Sequence, residues 1–344
     1  MDFSKMKFNE FLFIALALIC FSFFSCTQKN DTLTFDAMDT LITIKSNGKN
    51  AKAANQKAKE EIERIENLIS VTKENSTIKL LNDAKDFPHK LDGETYFLID
   101  FALRIARQTG GALNPFLYPA TKLWGFTTGN FKVPSQNEID SVLKFIDFPK
   151  VKLQKHESGH FLTMQSGMQC DLGAVGKGYA SDRAKQILKE NGIESAVIDL
   201  GGNINLLGAK KTGGKIEDWK VGIKNPFFPQ KNENLAIGFI TANDKAIVTS
   251  GGYERFFTDD EGNTFIHIFD SKTAKPVEND IASVTVVAQS GLYADSLSTA
   301  LFVLGKNDAE NYWKAHRDFE YLIVFKDGSV FCSQGLKNDF TLLR

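Results

Sequence analysis

The chain has 344 residues, 42% hydrophobic and 24% charged, which supports a sizeable packed core and excludes a disordered chain. Its formal net charge is -1, so bulk attraction to nucleic acid or to an acidic membrane surface is excluded and any anionic ligand must be held by local groups.

Taken in chain order, the first segment is not fold. Lys5 and Lys7 precede an apolar run over 11–24 that is too short to span a bilayer and is followed at once by Ser25, Cys26 and a polar stretch, the pattern of a secretory signal. A small residue directly before Cys26 resembles a bacterial lipoprotein cleavage site. The expected organisation is then a signal over 1–25, a lipid on Cys26, a short tether over 26–34 and one folded domain over 35–344, with a plain cleaved signal or an uncleaved anchor as the alternatives. Cys170 and Cys332 remain in the mature chain without metal-type spacing, and they read as thiols rather than a disulfide.

The Thr, Ile and Leu-rich run over 33–44 predicts a strand, and the helical spacing of Ala54, Ala58, Ile62, Ile65 and Ile69 predicts a helix over 51–70. A second helix is expected over 93–109, closed by Gly110 and Gly111, and then a loop over 113–131 broken by Pro115, Pro119 and Gly125. A helix over 176–191 leads to a strand over 195–200. Further strands are expected over 236–241, 265–269 and 282–287, followed by helices near 295–303 and 307–316, a terminal strand pair, and an exposed connection over 227–233. The alternation is mixed rather than a regular βαβ repeat, so the predicted class is α+β.

Three clusters carry candidate chemistry. In the block from Asp171 to Asp182, Gly173, Gly176 and Gly178 precede the expected helix with Lys177 among them, which suits a phosphate; the same residues also suit a helix-capping turn. It is not a P-loop, because the glycine spacing is short and no Ser or Thr follows Lys177. Gly201 and Gly202 follow a strand end, and the run Thr249 to Arg255 offers hydroxyls, flexible backbone and a cation. His267 shares a strand face with Phe265 and Phe269, where a core imidazole is the ordinary outcome. Asp295 and Thr299 stand four residues apart on one helix face, a carboxylate and a hydroxyl suited to Mg²⁺, or simply a solvated, capped helix start.

In order, these pieces resemble the FAD:protein FMN transferase family, the ApbE type of lipoproteins, from about Phe35 to the C-terminus. Met38-Asp-Thr40 is similar to the family's Met-Gly-Thr, Ser76 to Asn82 to its next Ser-containing segment, and Gly110 to Pro115 with Leu123 to Phe126 to its Gly-Ala-Phe-Asp-Pro and Trp-Gly-Phe pieces. The block 171–182, the Gly201-Gly202 pair, 219–226, 249–255, 267–277 and 294–305 follow in the family's order. Departures are Asp39 and Ala174 for glycines, Asn114 for an aspartate, Ser271 for a proline and Ala274 for a glycine.

The resemblance implies a single large fold of two lobes with FAD in the cleft between them. It implies that Ala174 (through its carbonyl), Asp295 and Thr299 hold Mg²⁺, and that Met38, Ser76, Thr77, Ile78, Asn114, Lys177, Gly201, Gly202, Ser250, Gly251, Arg255, His267 and Ile268 line the FAD site. It also implies transfer of FMN to a Thr or Ser hydroxyl with His267 as general base and Asp270 as its helper. Expected partners are FAD and an acceptor protein such as a membrane respiratory-complex subunit, met at the periplasmic face of the inner membrane; no nucleic acid is expected. An FAD pyrophosphatase and a non-catalytic FAD-binding lipoprotein are the rival expectations.

Overall fold

The computed structural model of the protein describes residues 30–212, 215–228 and 234–343. The expected signal and Cys26 lie outside these residues, as does most of the connection expected over 227–233. Eight strands form one sheet: β1 (Asn30–Ala37), β2 (Thr40–Asn47), β3 (Ser195–Leu200), β4 (Asn203–Leu207), β5 (Ala246–Gly251), β6 (Ile281–Ala288), β7 (Glu320–Phe325) and β8 (Val330–Cys332). They lie side by side in chain order, and every neighbouring pair is antiparallel. Strand β1 takes in residues 30–34, so the tether expected over 26–34 is shorter than its sequence suggests.

The single strand expected over 33–44 is a hairpin. Met38 and Asp39 both have positive φ, 52° and 57°, the two-residue turn whose twist matches that of the flanking strands. No glycine marks this turn, which is why the sequence hid it. The Met38 amide is held by Glu66, donating to Oε1 at 3.0 Å.

Helices α1 (Ala51–Ile69), α2 (Thr77–Asp83), α3 (Gly93–Gln108), α4 (Tyr118–Leu123), α5 (Gln136–Leu143) and α6 (Gly173–Glu190) come between β2 and β3, and α7 (Gly291–His316) follows β6. Helix α7 contains a non-helical residue, Gly305, which accounts for the two helices expected there. The apolar stripes of α1, α6 and α7 bury one face of the sheet, with Ile42, Ile44, Ile198 and Val284 fully inside. The other face packs Leu206, Ile247, Leu322 and Val324 against a three-stranded sheet of Trp219–Lys224, Ala236–Ala242 and Phe340–Leu342.

A separate small core, Ala120, Trp124, Ile139, Ile146, Phe269 and Ala274, forms the second lobe. Trp124 packs against Phe265 and Phe269, and its indole N–H donates to the Ala274 carbonyl at 3.1 Å. The Trp-Gly-Phe piece is thus the packing centre that carries the segment 256–276. Cys170 and Cys332 are free thiols, as expected.

Candidate active site

The meander determines where the site lies. The turn between β1 and β2, the turn between β3 and β4, and the long connection from β5 to β6 all leave the sheet at the same end. Met38 and Asp39, Gly201 and Gly202, Ser250 and Gly251, Arg255, His267 and Asp270 are therefore gathered there from five separate stretches of sequence. Gly201 and Gly202 have φ of 62° and 91° and form the β3–β4 turn, the Gly202 amide donating to Asp199 Oδ1 at 3.0 Å. A Cβ on Gly201 would stand 2.1 Å from Thr40 Oγ1, so the two turns touch. A cavity of about 50 Å³ is lined by Gly201, Gly202, Thr249 and Tyr253, whereas one of about 340 Å³, lined by Asn225, Lys326 and Leu342 among others, lies away from these residues and contains none of them.

Helix α6 begins at Gly173, earlier than the sequence suggests, so its glycines are not a loop cradling an anion. Their amides are spent inside the protein: Gly173 donates to Asp171 Oδ1 at 2.7 Å and Gly176 to the Leu172 carbonyl at 2.8 Å. The glycines serve close approach instead. A Cβ on Gly176 would meet Ile69 Cδ1 at 2.2 Å, and one on Gly178 would meet the Gly291 carbonyl oxygen at 2.1 Å. Gly178→Ala is accordingly expected to destabilise the protein by about 3 kcal/mol or more, the scale of strong overpacking against backbone, measured by urea unfolding.

That approach brings α6 and α7 together antiparallel in four-residue steps. Asp182 accepts the Gly291 amide at 2.7 Å, the Leu292 amide at 3.0 Å and the Ser290 hydroxyl at 2.7 Å, capping α7. One step on, the Gly178 amide donates to Asp295 Oδ2 at 2.8 Å. In a regular helix this amide closes on the Ala174 carbonyl, so the Asp295 carboxylate is brought beside that oxygen. The next step along α7 is Thr299, whose hydroxyl lies 3.3 Å from Ser250 Oγ. Asp295 is 5% exposed; burial pushes its carboxyl up to about 6, against the opposing pull of Lys177. Carboxylate, carbonyl and hydroxyl oxygens converging beside an ionisable buried Asp fit a hard divalent cation. Among the described residues no group of three or more His, Cys, Asp or Glu could hold a metal.

His267 does not sit inside a single strand. It falls between Thr264–Ile266, which pairs with Phe256–Thr258, and Phe269–Asp270, which pairs with Lys275–Pro276. This break takes it out of the expected core position and leaves it half-buried at the cleft. Nδ1 lies 3.1 Å from the Arg255 carbonyl, which can only accept, so Nδ1 carries the proton and Nε2 is the free base. Burial first, then the positive charges of Arg255 and Lys177, hold its pKa down at about 4. The partner of the His267 ring is the Arg255 carbonyl, while Asp270 Oδ1 accepts the Lys272 amide at 2.9 Å and stabilises the local turn. Arg255 pairs with the exposed Asp39 at 3.2 Å, linking the β1–β2 turn to the base of the His267 hairpin.

Other residues named from sequence have structural roles. Ser76 caps α2, accepting the Lys79 amide at 3.0 Å and donating to the Ser70 carbonyl. Thr77 opens that helix, while Ile78 and Ile268 are buried apolar side chains that can offer a ligand only backbone. Asn114 is 8% exposed and both ends of its amide are engaged: Nδ2 donates to the Ile146 carbonyl at 2.7 Å and Oδ1 accepts the Phe116 amide at 2.9 Å. A carboxylate could make only the second of these. Asn114→Asp is therefore expected to lower stability by about 1–3 kcal/mol through the orphaned Ile146 carbonyl, seen as a lower urea midpoint. Two features escaped the sequence reading: Asp182, and Tyr179, whose hydroxyl ties α6 to α3 through Glu94 at 2.7 Å. Asp182 had a signal, its four-residue spacing from Gly178.

The ApbE family model matches residues 38–323. The chain belongs to the ApbE family. It is 33% identical over 311 residues to the FAD:protein FMN transferase of Treponema pallidum (strain Nichols), covering 86% of this chain and 85% of that protein. Its fold is similar to the crystal structure of the ApbE protein from Thermotoga maritima MSB8, with a TM-score of 0.82 and 32% identity over 90% of this chain and 99% of that one. The flavin transferase ApbE from Vibrio cholerae gives a TM-score of 0.80 at 25% identity, covering 91% and 99%. The mixed α and β architecture expected from sequence is that of the ApbE fold, and the chain is a transferase-class enzyme of that family.

Proposed function

We propose that this ApbE family member transfers FMN from FAD to the hydroxyl of a Thr or Ser on an acceptor protein. The acceptor oxygen bonds to the FMN-side phosphorus, the bond to the AMP phosphate breaks, and AMP leaves. The observation that carries this reading is the 2.8 Å contact between the Gly178 amide and the buried Asp295 carboxylate, which joins the glycine-rich block to the acidic helix in one site. Ala174, Asp295 and Thr299 would hold Mg²⁺, whose charge neutralises the pyrophosphate oxygens when bound. Lys177 adds a positive charge on the same side, close enough to influence both Asp295 and His267. Neutral His267, oriented by the Arg255 carbonyl, accepts the proton of the attacking hydroxyl at Nε2.

The apolar run over 11–24, followed by Ser25 and Cys26, supports export and a lipid anchor on Cys26. A site tethered in that way to the periplasmic face of the inner membrane is within reach of a membrane respiratory-complex subunit. The test is co-expression with candidate acceptor fragments followed by intact-mass analysis. A gain of one FMN on the acceptor is the expected result; release of free FMN without any labelled protein would replace transfer by hydrolysis, and no change in FAD would leave only binding.

A further inference from the structure

Asn203 is the first residue of β4, directly after the Gly201-Gly202 turn, and is 2% exposed. Its amide NH₂ group faces the Asp295 carboxylate, which it helps to keep ionised, but its Oδ1 has no hydrogen-bond partner, although buried amides ordinarily find one. It pairs across the sheet with Val248, two residues before Ser250 on β5, so its side chain and the Ser250 hydroxyl stand on the same face. Ser250 Oγ reaches Ser298 Oγ at 2.8 Å and Thr299 Oγ1 at 3.3 Å on α7, and Asn203 is near enough to Asp295 to favour its ionised form. An apolar residue at this buried strand start would leave nothing unsatisfied, whereas an amide with an idle carbonyl oxygen is unfavourable unless something else occupies it. Asn205, two residues on, has part of its amide used: its Nδ2 donates to Asp182 Oδ1 at 2.8 Å and to Ser181. The idle Oδ1 of Asn203 therefore belongs with Asp295 and Thr299 rather than with the α6–α7 packing.

We infer that Asn203 is a further ligand of the divalent-cation site, its side-chain carbonyl oxygen joining those of Asp295, Thr299 and Ala174. This rests on the reading that a cation sits beside Asp295. An amide carbonyl is a hard, uncharged donor, which lets the site bind a cation without placing a second carboxylate against the buried Asp295. The amide NH₂ group is then left facing the Asp295 carboxylate, where it acts as a donor.

The experiment is a Mg²⁺ titration of the thermal midpoint of the full-length protein at fixed FAD, comparing wild type with Asn203→Leu, Asn203→Ala and Asn203→Asp. Leucine and alanine are expected to raise the half-saturating Mg²⁺ at least tenfold, while the metal-free midpoint of Asn203→Leu equals or exceeds that of wild type. Aspartate, which keeps an oxygen, is expected to bind Mg²⁺ at least as tightly as wild type; the alanine variant provides the comparison if leucine does not fold. Half-saturation within twofold of wild type in the folded Leu or Ala variant overturns the assignment, and so does an equal loss in Asn203→Asp. A wild-type protein blind to Mg²⁺ overturns the cation site as a whole, which is distinguishable from a responsive wild type with an indifferent Asn203.

Discussion

Asp295→Asn is expected to lower FMN transfer roughly a thousandfold and, in the same protein, to raise the thermal midpoint measured at pH 8 without Mg²⁺. The two effects share one cause. Burial pushes the Asp295 carboxyl up to about 6 from its ordinary 3.8, so the folded state holds the proton more tightly than the unfolded chain does. Stability contributed by this group is therefore greatest below the unfolded value and falls as pH rises between 3.8 and about 6. Above that window the bare carboxylate costs on the order of 3 kcal/mol, at about 1.4 kcal/mol per pH unit. A divalent cation offsets that cost, so Mg²⁺ is expected to raise the wild-type midpoint at pH 8 and to lose its effect below about pH 6, where the proton competes for the same oxygens. Asparagine keeps the shape but carries no charge, which removes the penalty and the Mg²⁺ response together. Thermal scans at pH 5.5 and 8, with and without Mg²⁺, read both; a variant that still responds to Mg²⁺ like wild type would sink the role given to Asp295.

His267→Gln is the second large effect, an expected loss of roughly a hundred- to ten-thousandfold in transfer with FAD binding changed no more than a few-fold. Glutamine can donate to the Arg255 carbonyl as the imidazole does, but it has no basic nitrogen. The imidazole is uncharged at neutral pH because burial, with Arg255 and Lys177 nearby, holds its pKa at about 4. In the FAD-free protein this group's stability contribution is present above 6.5 and is lost as pH falls toward about 4. A bound pyrophosphate beside Lys177 opposes the cations that depress it, so FAD is expected to raise the His267 pKa toward the range where a base works best, measurable from the ring proton shifts. Transfer at the wild-type rate by the glutamine variant would exclude His267 as the base.

How much of this was legible beforehand differs by element. Segment Ala51–Ile69 forms helix α1 because its apolar residues recur on one face, and that periodicity is printed in the sequence. The class, the helices around α7 and the strand β3 were legible for the same reason: local patterns reflect which face is buried. The Met38-Asp39 turn was not, since neither residue announces positive φ. Nor was the early start of α6, because glycines that normally mark a loop are here demanded by Ile69 and by the Gly291 carbonyl, residues far away in the chain.

The chemistry divides in the same way. The sequence alone determined which residue types recur in which order, and so the family and the acidic, hydroxyl and basic groups available to a site. Only the tertiary structure decided which of them meet. It placed Asp295 against the Gly178 amide, gave His267 the Arg255 carbonyl as its partner, spent Asn114 and Ser76 on backbone, and left the Asn203 carbonyl oxygen unpartnered beside Asp295. Hydrogen bonds and desolvation act over a few ångströms between segments as far apart in sequence as Gly178 and Asp295, and no local pattern in a chain records such distances.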